Sequence, residues 1–446
     1  IGPNSNFFSR EHKYAEIAES GVFLNEQSGK TIVDEYVPIG AKSFKVISSS
    51  SYNIGDRIIV FRPSTLEWIS SIGCDNLKPK WEPIKIIRWV KKGNNQGLYY
   101  LRSEGSTGEY KILKNKNESW EEFKNRLPFS SDGKKLNITR QWQEGAYDFY
   151  FERKIVKIIG DQIFIDIPIV HPIEKKFGGG KIYHFTNPGR VTEVGVENLR
   201  LVSEFSRPTK KNPYGDPEKI NLAELHAWNG IQIQPNTENI WIKNIIGNYF
   251  GWSLVSASGK RATIQDCTNL GHASKITGGR RYSFMINGQL NLVQRCLTNA
   301  GRHEFVTQQK TAGPNVFVDC IGYNSKSLSG PHHRYSVGTL FDNVKSEKPM
   351  ESRFRGNSGT GHGWAGSQIC FYNCRAPKFI VESPPGGISW VIRSADNQDR
   401  ELNPASLYYK QVQERLGNDA LTRLIEKKYF DNIGKYKWVK INLNDE

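Results

Sequence analysis

The chain has 446 residues and a formal net charge of +16, with 61 Lys and Arg against 45 Asp and Glu. A basic surface attracts polyanions, but the sequence lacks the helix-turn-helix, zinc-finger and RNP-type signatures of nucleic-acid-binding proteins. No apolar run is long enough to cross a bilayer. We therefore expect an acidic polysaccharide as the partner, and neither nucleic acid nor a membrane.

Residues 1–75 are predicted to form an N-terminal cap and the first coils of a β-helix. Apolar segments follow one another as KTIVDEYVPIG, SFKVISS and DRIIVFRP, separated by turn sequences. Residues 76–150 are charged and contain one predicted short helix, residues 119–127, with Ser119 as its N-cap. We expect them to form an insertion, either the wall or lid of a groove or only a solvated surface.

Residues 151–400 are predicted to form the main β-helix. Strand-like segments recur as RATIQDCTN, LNLVQRCLT, NVFVDCIGY and TLFDNVKSE, and Cys267, Cys296, Cys320, Val344 and Cys374 occupy equivalent positions, 29, 24, 24 and 30 residues apart. Coils of this irregular length are typical of a parallel β-helix. The predicted fold is therefore all-β, a single-stranded right-handed parallel β-helix. Its cysteines are expected to be buried thiols.

The residues just before these positions are expected to point outward, because side chains alternate along a strand. They are Asp266, Arg295, Asp319, Asn343 and Asn373. Stacked coils would make them a charge-compensated surface ladder. The alternative is a cation site, against which the arginine between two aspartates argues, so we predict no metal ligands and no required cofactor, with Ca²⁺ left open.

Residues 401–446 are predicted to form a C-terminal helical cap. Leu407, Val412 and Leu416 recur at near-helical spacing, and Gly417 is a natural stop.

Two columns of polar residues follow from aligning the coils on Phe284, Phe305 and Tyr335. Two residues earlier lie Tyr282, His303 and His333, and three residues earlier lie Arg281, Arg302 and His332. Trp252 and His226 extend the first column into earlier coils.

These columns supply what β-elimination from a uronate needs. His303 is the expected base for the C5 proton, and Tyr282 the acid or second base. Arg302 with Arg281 would clamp the carboxylate, and His226 is a reserve base. Further expected substrate-binding residues are His332, His333, Arg334, Arg353, Arg355, His362, Trp364 and Lys310.

Two other functions stay open at this point. A glycoside hydrolase would pair Glu304 with a second acid, either Glu351 or Asp342. A non-catalytic glycan-binding surface protein would use the same cluster only for contact, since any single histidine is more often a structural one.

Several segments resemble secreted bacterial right-handed β-helix proteins of the pectate-lyase-like superfamily. They include NIGDRIIVFRPSTLEWI, GGRRYSF, GRHEFVTQ, GPHHRYSVGTLFDNV, GNSGTGHGWAG and SLYYKQVQERLG, spread over residues 36–420 apart from the insertion. The chain is most similar there to polysaccharide lyases that act on acidic marine glycans, with or without sulfate groups, such as fucoidan lyases. The resemblance implies an exported lyase, secreted or periplasmic. The sequence shows no signal peptide, and we expect that a leader has been removed. We also expect a monomer.

Overall fold

The computed structural model describes residues 21–77, 81–89, 98–103, 110–113, 117–119, 122, 134–136, 141–204, 226–274, 276, 278–393 and 402–425. The strands up to residue 186 are β1 Phe23–Leu24, β2 Lys30–Thr31, β3 Tyr36–Val37, β4 Ser43–Lys45, β5 Arg57–Arg62, β6 Trp81–Trp89, β7 Leu98–Ser103, β8 Tyr110–Leu113, β9 Lys134–Leu136, β10 Phe149–Ile159, β11 Gln162–Ile165, β12 Ile173–Glu174 and β13 Lys181–Thr186.

The later strands are β14 Val191–Val202, β15 Asn229–Ile233, β16 Thr237–Asn248, β17 Ser253–Ala257, β18 Thr263–Gln265, β19 Thr268–Asn269, β20 Tyr282–Ile286, β21 Leu292–Gln294, β22 Leu297–Asn299, β23 His303–Thr307, β24 Asn315–Val318, β25 Ile321–Tyr323, β26 Gly330–Pro331, β27 Ser336–Asp342, β28 Lys345–Ser346, β29 Met350–Ser352, β30 Gly366–Tyr372, β31 Phe379–Val381 and β32 Trp390–Ile392. The helices are α1 Leu66–Ser71, α2 Ser358–Gly361 (a single kinked turn), α3 Leu407–Leu416 and α4 Asn418–Leu424.

The first part of the chain is an antiparallel sheet, not a set of coils. β5 pairs antiparallel with both β10 and β13, and β11 pairs antiparallel with β10 and β4. The tight turn at Gly160 and Asp161 joins β10 directly to β11, which an antiparallel pair allows and a parallel pair does not. The prediction that residues 1–75 and the start of 151–400 form β-helix coils is therefore wrong where the structure describes them.

Parallel pairing begins at Val191. A long sheet runs in the order β28-β25-β22-β19-β16-β18-β21-β24-β27-β30-β32, with β14 also on β16, and a second runs β15-β17-β20-β23-β26. Ile264 lies opposite Val293, which lies opposite Phe317, which lies opposite Phe341.

These pairs reproduce the predicted offsets of 29, 24 and 24 residues. Both sheets share one buried core that includes Ile264, Phe284 and Phe317. The protein is thus mostly β with long parallel sheets, compatible with the predicted β-helix.

The predicted ladder is present, but it sits at a corner between short strands. Asp266, Arg295, Asp319 and Asn343 all have left-handed φ angles, between 50° and 56°, which Asn and Asp adopt more readily than most residues. The Arg295 guanidinium donates two hydrogen bonds to Asp266, at 2.6 and 2.7 Å, and Asn343 Nδ2 donates to Asp319 at 2.6 Å.

All six cysteines are free thiols, and five of them are buried. Within the described ranges, no three His, Cys, Asp or Glu side chains are placed to hold a metal ion.

The C-terminal helices lie along the ladder instead of covering an end of the sheets. Ser406 caps α3, and Gly417, with φ of 84°, ends it. Tyr409 Oη donates to Asp319 at 2.7 Å, and Arg295 Nη1 donates to the carbonyl of Leu424 at 3.1 Å. Helices 407–424 are thus confirmed as helices but flank the parallel sheet, and residues 426–446 lie outside the described residues.

The insertion contains a separate four-stranded antiparallel sheet in the order β8-β7-β6-β9. The Ser119 hydroxyl accepts a hydrogen bond from the Glu122 amide at 3.2 Å, as predicted for an N-cap; most of the predicted helix 119–127 lies outside the described residues. A wall or lid role for this sheet stays a prediction. No helix in the described part of the chain is long and apolar enough to cross a membrane.

An ion cluster joins the antiparallel sheet to the first parallel strands. Glu152 on β10 accepts from Arg190 at 3.0 Å and also pairs with Arg57 and Lys260; Glu238 shares the same three cations. Burial raises the pKa of Glu152, but its contacts with Arg190 and Lys260 outweigh this and hold the pKa below its usual value.

Replacing Glu152 with Gln should therefore destabilise the protein strongly. The change leaves Arg190 and Lys260, both largely buried, with Glu238 as the one carboxylate that they share, which costs about 3–5 kcal/mol. Urea unfolding would measure it, with Glu193→Gln as the matched control, because Glu193 is exposed on β14. Equal unfolding midpoints for the two variants would contradict the importance of the cluster.

Candidate functional site

The predicted register holds for two coils and fails for the third. Tyr282 lies opposite His303, and Phe284 lies opposite Phe305. In the next coil, however, Gly330–Pro331 pairs with Val306 and Thr307. The chain then bends, with left-handed φ angles at Arg334 and Tyr335. Tyr335 is therefore not stacked on Phe305.

Tyr335 instead packs into the hydrophobic core beneath the antiparallel sheet, with its ring 4.9 Å from that of Trp68. Aligning the repeated segments could not predict this position of Tyr335, because strand β26 has only two residues and the segment from His332 to Tyr335 follows it.

Although the third coil is out of the predicted register, its histidines still lie close to His303 and Tyr282. The His332 ring lies 4.4 Å from that of His303 and 5.2 Å from that of Tyr282. His333 lies 5.0 Å from His332, and His362 lies 4.9 Å from His333. We call these five residues, Tyr282, His303, His332, His333 and His362, the imidazole cluster.

The Tyr282 hydroxyl is held by two donors. His332 Nδ1 faces Arg355 Nη1 at 3.2 Å, and because arginine can only donate, the ring proton of neutral His332 is on Nε2. That proton is donated to Tyr282 Oη at 3.0 Å, and Arg302 Nη1 donates to the same oxygen at 3.4 Å. The Tyr282 oxygen thus accepts both hydrogen bonds, and its own proton is available for donation to another group.

His303 presents an unprotonated nitrogen. Its Nδ1 lies 2.7 Å from the carbonyl oxygen of Leu328, so Nδ1 carries the proton and donates it. Nε2 then holds a lone pair, and it has no hydrogen-bond partner among the described residues. Burial and the charge of Arg302 hold the pKa of His303 well below its usual value. The ring is therefore neutral at ordinary pH, as a general base must be.

Arg302 and Arg355 contact the cluster. Arg355 donates to both the ring and the carbonyl of His332, and Arg353 donates to Glu351 at 2.9 Å. Arg302 is half-buried. Burial raises the pKa of Tyr282, while Arg302, Arg355 and the Gly279 backbone offset part of the rise by stabilising the phenolate.

Four predicted site residues have other surroundings. Arg281 donates to the carbonyls of Ser274 and Ala300, unlike the carboxylate clamp predicted for it. Arg334 donates to Gln309 and Thr360. The two remaining residues are Lys310 and Trp364.

Lys310 follows β23, at the opposite end of that strand from His303. Trp364 Nε1 donates to the carbonyl of Ile72 at 2.9 Å, so its ring faces the antiparallel unit.

The carboxylates proposed for hydrolysis have different surroundings. Glu304 is fully buried between the coils, where it accepts from Ser283, Thr298 and the Gly301 amide. Burial raises its pKa to about 7. Asp342 binds Ser406 and the Tyr408 amide at the base of α3. Glu304 and Asp342 thus make separate structural contacts. Glu351, the other proposed partner, is buried and pairs with Arg353 and with Arg355, the arginine that contacts His332.

A line of rings leads into the cluster from the earlier coils. Trp252 lies 6.1 Å from Tyr282, Trp228 lies 6.1 Å from Trp252, and His226 lies 6.4 Å from Trp228. Trp252 extends the column as predicted. His226 does not, because the Trp252 amide donates to the carbonyl of Trp228, which therefore occupies the equivalent position in the earlier coil. His226 lies beside Trp228, away from His303. Trp228 was missed, although it lies only two residues after His226 in the segment HAWNG.

No family model and no curated protein matches the sequence. Among solved structures, the chain is similar to the tailspike protein gp49 from Pseudomonas phage LKA1 (10% identity, 81% of this chain and 56% of that chain, TM-score 0.28).

It is also similar to the gp54 tailspike of Acinetobacter baumannii bacteriophage AP22 in complex with a capsular saccharide of that bacterium (8%, 84% and 60%, TM-score 0.26). A third is the catalytic domain of a GH87 α-1,3-glucanase in complex with nigerose (10%, 85% and 98%, TM-score 0.22). The chain spans less than two thirds of either tailspike chain. Similarities this weak carry no argument about activity, which has to come from the site.

Proposed function

We propose that this protein is an exported lyase that cleaves an acidic, uronate-containing polysaccharide by β-elimination, on a right-handed parallel β-helix. The observation that carries the proposal is the pairing of a proton-donating Tyr282 hydroxyl with a neutral His303 whose Nε2 holds a lone pair. The net charge of +16 and the arginines around the cluster suit a polyanionic substrate.

Arg302, His303 and Tyr282 each carry out one part of the proposed reaction. The substrate carboxylate is bound by Arg302, whose planar guanidinium suits two parallel hydrogen bonds and whose charge stabilises the enolate character that develops. His303 Nε2 takes the C5 proton, and the electrons of that bond form the C4–C5 double bond. The C4–O bond breaks, and the Tyr282 hydroxyl gives its proton to the leaving oxygen.

Access to the two groups depends on neighbouring side chains. Tyr282 is 4% exposed and His303 is 1% exposed. The 3.4 Å contact from Arg302 to Tyr282 is the longest in the cluster's hydrogen-bond network. A carboxylate that draws Arg302 toward itself would release this contact and uncover the hydroxyl.

The same low exposure favours a second candidate function, a non-catalytic protein that binds acidic glycans through its arginines. Screening alginate, pectate, ulvan, fucoidan and glycosaminoglycans separates the two. Our proposal predicts that both reducing ends and the ultraviolet absorbance of an unsaturated product rise on one polymer. New reducing ends without that absorbance would indicate hydrolysis, and retention without any product would indicate binding alone.

The pH profile of kcat/KM should be flat across the neutral range. The pKa of His303 lies below its ordinary 6.5, so the base stays neutral as pH falls past that value; the pKa of Tyr282 lies above its ordinary 10.0, so the acid stays protonated in mild alkali. Initial rates from about pH 6.5 to about pH 9 would measure this. A bell centred in that window would contradict the assignment of these two groups.

A further inference from the structure

The aromatic rings of Trp228, Trp252 and Tyr282 lie at the starts of three neighbouring strands of the sheet β15-β17-β20-β23-β26. Trp228 immediately precedes β15, Trp252 immediately precedes β17, and Tyr282 begins β20. Backbone hydrogen bonds tie the three positions together, from the Trp252 amide to Trp228 at 2.7 Å and from the Tyr282 amide to Trp252 at 2.8 Å. The three rings therefore follow the stacking direction of the coils, perpendicular to the strands.

A positive charge accompanies these rings. The Arg280 guanidinium lies over the Trp228 ring, 5.1 Å from its centroid. Trp228, Trp252 and Arg280 are all partly exposed. Indole faces pack against the apolar faces of sugar rings, and a guanidinium beside them binds a carboxylate or sulfate group.

We propose that Trp228, Trp252 and Arg280 form a binding subsite for acidic sugar units that lie beside the bond being cleaved. The subsite deepens the proposed function and rests on it for the position of the reaction. Coils are ~4.8 Å apart, so Trp228 lies ~10 Å from Tyr282 along the stack. An extended glycan that follows the coils would therefore contact the tryptophans and Tyr282 at the same time.

The arrangement predicts which substrates depend on the subsite. Contacts away from the reacting bond contribute binding energy only when the chain is long enough to reach them. Trp228→Ala should therefore raise KM for a long polymer about 10-fold. It should leave kcat unchanged, and it should leave both constants unchanged for the shortest oligosaccharide that is cleaved. Trp390→Ala is the matched control, because Trp390 is 40% exposed on the other sheet.

Binding can be measured apart from turnover. Affinity electrophoresis of Trp228→Ala, Arg280→Ala, Trp390→Ala and the unsubstituted protein would use gels containing pectate, alginate or fucoidan, with neutral dextran as the blank. We expect at least one acidic polymer to retard the unsubstituted protein and Trp390→Ala, and to retard both subsite variants less.

Equal retardation of Trp228→Ala and Trp390→Ala, or no retardation of any protein, would overturn the subsite. If the subsite variants lose retardation while the unsubstituted protein cleaves nothing, the subsite stands and the lyase proposal fails.

Discussion

Replacing Tyr282 with Phe should reduce kcat by roughly 1,000-fold on whichever acidic polysaccharide the protein cleaves, because it removes the proton donor for the leaving oxygen. The packing of the ring should survive, since phenylalanine keeps the aromatic contacts with His303 and His332. Substrate affinity should change little. Initial-rate kinetics with ultraviolet detection would measure both constants.

Tyr183→Phe provides the control for Tyr282→Phe. Tyr183 lies on β13 of the antiparallel sheet, so its loss should leave kcat unchanged. Thermal unfolding of both variants would show whether the fold is intact. If Tyr282→Phe kept full activity, Tyr282 would not be the acid, and the catalytic assignment would be wrong.

Mild acid should unfold the protein over a narrow pH range. Six of the nine histidines, His171, His272, His303, His332, His333 and His362, are held neutral by burial, with pKa values below the ordinary 6.5. The unfolded chain binds these protons as pH falls below about 6.5, whereas the folded chain does not. Stability contributed by the neutral rings is therefore present above that pH and is lost below it.

Three buried carboxyl groups act in the opposite direction. Burial raises the pKa of Glu304 and Asp342 to about 7 and also raises the pKa of Asp319. Their contribution to stability is present at low pH and is lost as pH rises through the pKa of each folded group. Six imidazoles against three carboxyls leave about three net protons, or roughly 4 kcal/mol per pH unit between about pH 5 and 6 as an upper bound. The free energy of unfolding of a typical domain is only about 5–15 kcal/mol.

Thermal unfolding from about pH 7 to about pH 5 would measure the acid effect. His362→Gln should flatten the dependence by about one proton, since it removes one of the buried rings. A melting temperature that stayed constant over this range would contradict the view that these imidazoles are neutral in the fold.

The parallel part of the fold could be predicted because each coil repeats the same chemistry. Buried apolar residues recur at offsets that the strand pairing reproduces, from Ile264 to Val293 and on to Phe317. The sequence could not distinguish the antiparallel sheet from the coils, since apolar segments such as β5 and β11 have the same pattern whether the neighbouring strand is parallel or antiparallel. Only the tight turn at Gly160 distinguishes them.

The site could be predicted in part for a similar reason. Tyr282 and His303 begin equivalent strands, so aligning the coils brought them together. His332 reached the same place by a different route, directly after the two-residue strand β26 and before the backbone bend at Arg334 and Tyr335, an arrangement that the periodicity does not show. Arg281 and Trp364 matched the motif, but their side chains turn to backbone carbonyls instead.

The chemistry of the cleaved product tests the central claim most directly. Mass spectrometry of oligosaccharides released in heavy-oxygen-labelled water would show whether water enters the product. Elimination predicts a new non-reducing end that is unsaturated and lighter by one water than the corresponding end of a hydrolysed chain. A saturated non-reducing end, with heavy oxygen entering at C1 of the new reducing end during cleavage, would contradict the lyase proposal and indicate a hydrolase.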